Sequence, residues 1–193
     1  SDKASNVLKK QEGSYADLYF NYSINQDLRD KKFRTESGYV TTFSQELPLV
    51  SDSAELSNAF VITNYKKLSS TSDMVGKVSF FGKTITGLSD DVRISKRLNV
   101  PSSRLRGFQR GKVGPVENND YIGGNYVSSL NFSATLPNLV QGLDNLDVGV
   151  FVDAANVWGV DYDSTIDDKS TLRSSTGVAL NLMTPIGPLS FSF

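Results

Sequence analysis

Alternation of polar and apolar side chains runs through most of this chain, and it leaves few folds open. In residues 17–25, Leu18, Phe20, Tyr22 and Ile24 share one parity, while Asp17, Asn21, Ser23 and Asn25 share the other, with Tyr19 among them. Successive side chains of a strand point to opposite faces, so this pattern describes a strand with one apolar side. The same period of two recurs in 38–47, 57–66, 75–86, 125–136, 147–158, 172–183 and 189–193. Turn signals bound many of these runs: Pro48, the segment 69–73, Pro137-Asn138 and Pro185-Ile186-Gly187. The reading is an all-β, antiparallel chain of about eight strands, with a short helix expected only at 53–58.

Period two alone fits a soluble β-sandwich with its apolar face inward as well as a transmembrane barrel with its apolar face outward. Length favours the barrel. Most runs have nine to twelve residues, and a tilted strand needs about 9–11 to cross a bilayer, against about 5–6 for the commonest globular strand. The connections point the same way. The 185–187 turn is tight, whereas 88–122 and 159–171 are long and polar. Short turns at one end and long loops at the other are the outer-membrane pattern. The parity of the later strands assigns Val148, Val150, Val152, Val178, Leu180 and Leu182 to the lipid side. Hydrophobic content of 38% and the lack of any long apolar run argue against a membrane helix. The first residues are polar and do not read as a signal peptide.

The chain has no Cys and no His. That removes disulfides, thiolate metal sites, and the usual general base at neutral pH. A formal net charge of −1 argues against nucleic acid as a partner. Phe81-Gly82-Lys83-Thr84 imitates the end of a phosphate loop, but Lys77 stands where its first Gly belongs. Asp161, Asp163, Asp167 and Asp168 imitate a calcium loop, but Ile166 and Leu172 occupy its Gly and Glu places, so a solvated acidic loop is expected. The glycosylation triplets at Asn21 and Asn131 fall inside strands. No catalytic residue, cofactor or metal is expected.

Arg106-Gly107-Phe108 lies in the long 88–122 loop. Gly107 permits backbone conformations that other residues resist. Phe108 offers an apolar anchor, and Arg106 presents a five-donor fork suited to a carboxylate. The three residues can turn, bury an aromatic ring and pair a charge at the tip of a loop tucked into a polar lumen.

These features together resemble the C-terminal barrel of the BamA family, the outer-membrane factors that insert other β-barrels. Leu105-Arg106-Gly107-Phe108 is similar to that family's sixth-loop motif. Ile122-Gly123-Gly124-Asn125 resembles the start of its twelfth strand, residues 151–158 its thirteenth, and 177–189 the fourteenth, its turn and the start of the fifteenth. Residues 33–37 resemble the periplasmic turn before the ninth strand, with Arg34 and Ser37 in place of the family's Pro and Gly. The resemblance implies that residues 1–193 are part of a sixteen-strand barrel, roughly its eighth to fifteenth strands, with 88–122 an extracellular loop folded into the lumen. It further implies that Arg106 pairs with a carboxylate of the thirteenth strand, which Asp153 matches. The family's second carboxylate falls on Asn131, so the expected clamp is a single Asp153 pair supported by the Asn131 amide and the Ser133 hydroxyl.

The function implied is non-enzymatic insertion of barrel proteins into the outer membrane of a Gram-negative bacterium. The implied partners are outer-membrane lipid, unfolded outer-membrane protein clients and periplasmic accessory proteins. The alternatives are a related barrel that exports a protein or assembles a transporter, a passive porin, and a soluble β-sandwich binding module.

Overall fold

Where polar and apolar residues alternate, the backbone is extended and pairs with its sequence neighbour. A computed structural model describes residues 14–193 apart from 70, 138, 140–141, 144, 162–165 and 167–170. Its strands are β1 (Asp17–Asp27), β2 (Gly38–Ser51), β3 (Glu55–Lys67), β4 (Val75–Gly87), β5 (Val116–Glu117), β6 (Asp120–Tyr121), β7 (Tyr126–Pro137), β8 (Leu146–Trp158), β9 (Arg173–Thr184) and β10 (Gly187–Ser192). Eight of them form one antiparallel sheet in the order β1-β2-β3-β4-β7-β8-β9-β10. Every neighbour in that sheet is also the next long strand in sequence, an up-and-down meander. A 13-residue strand such as β8 is about 43 Å long at about 3.3 Å per residue. Tilted by about 45°, it covers about 30 Å, the thickness of a bilayer's hydrocarbon core.

The pairing register keeps one parity on one face across the whole sheet. Ile62 lies beside Phe80 and Phe80 beside Leu130; Phe132 lies beside Val152, and Val150 beside Val178. This face is bare: Phe20, Ile24, Phe60, Phe80, Phe132, Val150, Val152 and Val178 are all exposed, Val150 at 55%. The opposite, concave face carries Thr63, Ser79, Ser129, Asn131 and Asp153, all buried. A soluble sandwich would bury the apolar face and expose the polar one. This chain does the reverse, as a strand in lipid must.

The concave residues are buried because residues 88–122 lie on them. Val92, Leu98, Val100, Leu105 and Val113 of this loop pack with Phe81, Ile85, Val127, Ala155 and Val157 of β4, β7 and β8 to form the buried apolar core. Two short 3-10 turns, Ile94–Lys96 and Ser102–Arg104, and an antiparallel Leu98–Gly124 bridge shape the loop. Gly124 is required there, since a Cβ on it would lie 2.5 Å from the Trp158 carbonyl oxygen. The loop also contains the β5–β6 hairpin, whose turn residues Asn118 and Asn119 have φ of 49° and 67°. Asn tolerates that left-handed pair better than most residues, yet the hairpin is too short to register as alternation.

Two local expectations fail. Residues 53–58 form no helix: Glu55 opens β3, and Glu55 and Ser57 take the buried, concave parity of that strand. Pro48 does not end β2. The strand continues to Ser51, and the register slips so that Tyr19 faces Pro48 while Leu18 faces Val50. A bulge is one of the few places where a sheet accepts a residue with no N–H to donate.

Candidate functional site: a loop pinned to the concave face

Asp153 sits mid-way along β8 on the concave parity and is 0% exposed. A buried carboxylate must be compensated, and four donors meet this one. Arg106 Nε donates to Oδ2 and Arg106 Nη2 to Oδ1, both at 2.7 Å. The Arg106 backbone N–H adds a bond to Oδ2 at 3.2 Å. Asn131 Nδ2 reaches Oδ1 at 2.8 Å from the facing position on β7. The guanidinium carbon lies over the Phe151 ring, 3.5 Å from its centre, so one side chain uses both its fork and its cation–π capacity.

Asn131 does a second job. The same Nδ2 donates to the Arg104 carbonyl at 2.8 Å, which ties the loop backbone to β7. Its Oδ1 accepts from Ser129 at 3.3 Å. Among the described residues Ser133 makes no hydrogen bond to Asp153; the hydroxyl in this network is that of Ser129.

Gly107 has φ of +81°, and nothing lies within 4 Å of where a Cβ would be. Its role is therefore conformational: it turns the chain so that the backbone N–H and side chain of Arg106 face the same carboxylate. Phe108 departs from the expectation of a buried ring, since 37% of it stays exposed. The apolar anchor is Leu105, only 2% exposed, on the other side of Arg106. With the chain turned at Gly107, Leu105 is buried and Arg106 half-buried, whereas Phe108 stays exposed.

Three further arginines of the loop dock on the sheet or its margins: Arg104, which opens the stretch that holds Arg106, and Arg93 and Arg97, for none of which a partner was expected. Arg104 Nη1 donates to Ser79 of β4 at 2.7 Å, with its guanidinium over Phe81. Arg97 Nη2 meets Asp161, just beyond β8, at 2.5 Å. Arg93 is held by Asp17 of β1 and Glu55 of β3. Burial opposes the Arg93 charge, but the bonds to Glu55 and Asp17 outweigh it and raise its pKa above the ordinary value.

Asp161, expected in a solvated acidic loop, is exposed as expected but is also tied to the loop and the margin of the sheet. It accepts from the Val92 N–H at 3.0 Å and the Asn125 amide at 2.9 Å as well as from Arg97. Partial burial of the carboxylate would raise its pKa; these three donors more than offset that and hold it below the usual carboxylate value. Asp163, Asp167 and Asp168 of the same reading lie outside the described residues. The available signal was spacing: four arginines between 93 and 106, facing a run of inward polar positions.

A β-meander with a bare apolar outer face and a loop bound to its polar inner face defines an outer-membrane-type barrel with an inward-folded loop. The Omp85 superfamily domain matches residues 1–193, and the chain belongs to that superfamily. Among solved structures, BamA from Haemophilus ducreyi lacking POTRA domains 1–3 superposes with a TM-score of 0.77 at 24% identity. The match covers 91% of this chain and 38% of that one, so this chain spans well under half the length of that protein.

Proposed function

We propose that this chain is part of a β-barrel insertase of the outer membrane, non-enzymatic, with loop 88–122 locked in the lumen by Arg106 and Asp153. The observation that carries the reading is the fourfold-donated Asp153 on the face opposite the bare apolar one. A loop fixed in this way fills the concave side, which disfavours a passive porin. Insertion is preferred over export because of the likeness to BamA and because the work required is mechanical. An unpaired strand edge offers N–H and C=O groups that can template an incoming strand. The partners on this reading are outer-membrane lipid, unfolded barrel clients and periplasmic accessory proteins.

The test uses the full-length protein in liposomes, with a urea-unfolded outer-membrane barrel as client. The protein should speed folding of the client, and Arg106→Ala should reduce that acceleration. Failure to accelerate, together with translocation of a soluble passenger or steady ion conductance, would favour export or a porin. The anchor has its own readout. Removing Arg106 leaves a fully buried carboxylate, whereas removing Asp153 leaves an Arg106 side chain that is 23% exposed and can regain water. Arg106→Ala should therefore cost about 3 kcal/mol or more and Asp153→Ala less, and the double variant should fall short of their sum.

A further inference from the structure

We infer that Arg93 is a positioning residue for the Arg106–Asp153 site, a fixed point beyond the Arg97 and Arg104 contacts that turns the loop from a plug into a strut across the concave face. This rests on the loop-anchor reading above and extends it. Arg93 Nε donates to Glu55 Oε1 at 3.0 Å, and Nη2 bonds Asp17 and reaches Glu55 Oε2 at 3.5 Å. Two carboxylates around one guanidinium leave a surplus negative charge. Neutral donors meet it: Tyr19 O–H and Ser53 O–H bond Glu55, and Ser51 O–H bonds Asp17 at 2.6 Å. The Tyr15 ring lies 4.5 Å from the guanidinium. Glu55 is 2% exposed and Arg93 6%, so this is a built cage, unlike a surface ion pair, which is worth little.

Its place in the sheet gives it its role. Glu55 is on β3 and Asp153 on β8, three strand intervals apart in the sheet order, or about 14 Å at about 4.8 Å each. The register aligns Asp153, through Asn131 and Ser79, with Thr63. Thr63 is about 26 Å along β3 from Glu55 at about 3.3 Å per residue, so the two sites lie about 30 Å apart. The 13 steps from Arg93 to Arg106, shortened by two 3-10 turns, reach about 35 Å and so bridge that gap with little slack. This stretch contains both 3-10 turns, Pro101, the Leu98–Gly124 bridge and the Arg104–Ser79 bond. Releasing the Arg93 end moves its load onto the Arg97–Asp161 pair, the Leu98–Gly124 bridge and the Arg104–Ser79 bond, and the shift that they pass on costs the Arg106 fork the alignment that two 2.7 Å bonds require.

The experiment measures the coupling between Arg106→Ala and Asp153→Ala in the full-length protein, from urea unfolding. It is done in the natural background and again with Arg93→Gln or Glu55→Gln. Spin labels at Ser95 on the loop and Ile24 on β1 report the loop's position. The expected result is a broadened Ser95–Ile24 distance and a fall of about threefold or more in the coupling, expressed as an equilibrium ratio. Arg93→Lys should recover little, because an ammonium lacks the fork that spans both carboxylates. Coupling that is unchanged in the Arg93→Gln and Glu55→Gln backgrounds overturns the inference, whatever the labels show. If Arg93→Gln does not fold, Glu55→Gln and the milder Asp17→Asn decide it by the same criterion. Absence of coupling in the natural background is a different result and would remove the loop-anchor reading itself.

Discussion

At the scale of single residues, Asn131 is the informative position. It stands where the resemblance implies a second carboxylate, yet its amide donates to both Asp153 and the Arg104 carbonyl. A carboxylate cannot donate either bond and would place a like charge beside Asp153. Asn131→Glu should therefore destabilise the protein by about 1–3 kcal/mol, the cost of orphaning buried polar groups. A gain in heat stability on replacing Asn131 with Glu would show that the network can be rebuilt around two acids. Arg34 makes the opposite kind of case. Its φ is +49°, unfavourable for a residue with a Cβ, and its fork meets Asp147 at 2.9 and 3.2 Å. That pair is partly exposed and should contribute at most about 1 kcal/mol. Arg34→Gly loses the pair but relieves about 1–2 kcal/mol of backbone strain, so it should be nearly neutral. Arg34→Ala keeps the strain, loses the pair and should be the less stable in urea unfolding.

At the scale of elements, parity was legible, and of the loop only its inward fold and its Arg106–Asp153 pair were. The long strands could be read from the sequence because each face of β7, β8 and β9 has one solvent, lipid or lumen, throughout its length. The order of the sheet followed from the meander. What the sequence hid was contact at a distance: Glu55 with Arg93, Asp161 with Val92 and Arg97, Leu105 with the sheet. None of these has a local period, and a charged loop looks the same whether solvated or clamped. The lipid assignment is tested with spin labels at Val148, Val150, Val152, Val178, Leu180 and Leu182 in the full-length protein. They should contact lipid-soluble quenchers, and labels at Gly149 and Asn181 should not; the reverse pattern would turn the sheet inside out. The Asp161 clamp has a pH signature. A carboxyl whose folded pKa lies below its ordinary value of 3.8 contributes stability that is complete above that value and is lost as pH falls through the folded one. Exchange protection of the Val92 N–H should accordingly drop below about pH 4. Asp161→Asn should lower it at neutral pH and flatten that part of the profile. An acid response identical in Asp161→Asn would assign the loss to another group.

At the scale of the molecule, the described sheet has β1 and β10 as its outer strands, and its convex side is a broad exposed apolar surface. Each feature alone invites association. A long unpaired edge recruits another strand, and an exposed apolar patch beyond a few hundred Å² is a contact surface for lipid or protein. The buried core does not remove them, because it lies on the other side, between the loop and β4, β7 and β8. The consequence is specific to this arrangement. A 193-residue chain is long enough to hide its apolar residues as a sandwich, yet here they are spent on the outside. As an isolated polypeptide, this chain should not give a sharp, concentration-independent monomer in plain buffer. It should aggregate or require detergent, and sedimentation across a range of concentrations reads the difference. A well-behaved detergent-free monomer would mean that the two faces exchange roles in water. Asp153 and Arg106 would then face solvent, and the loop anchor would have no desolvated site to occupy.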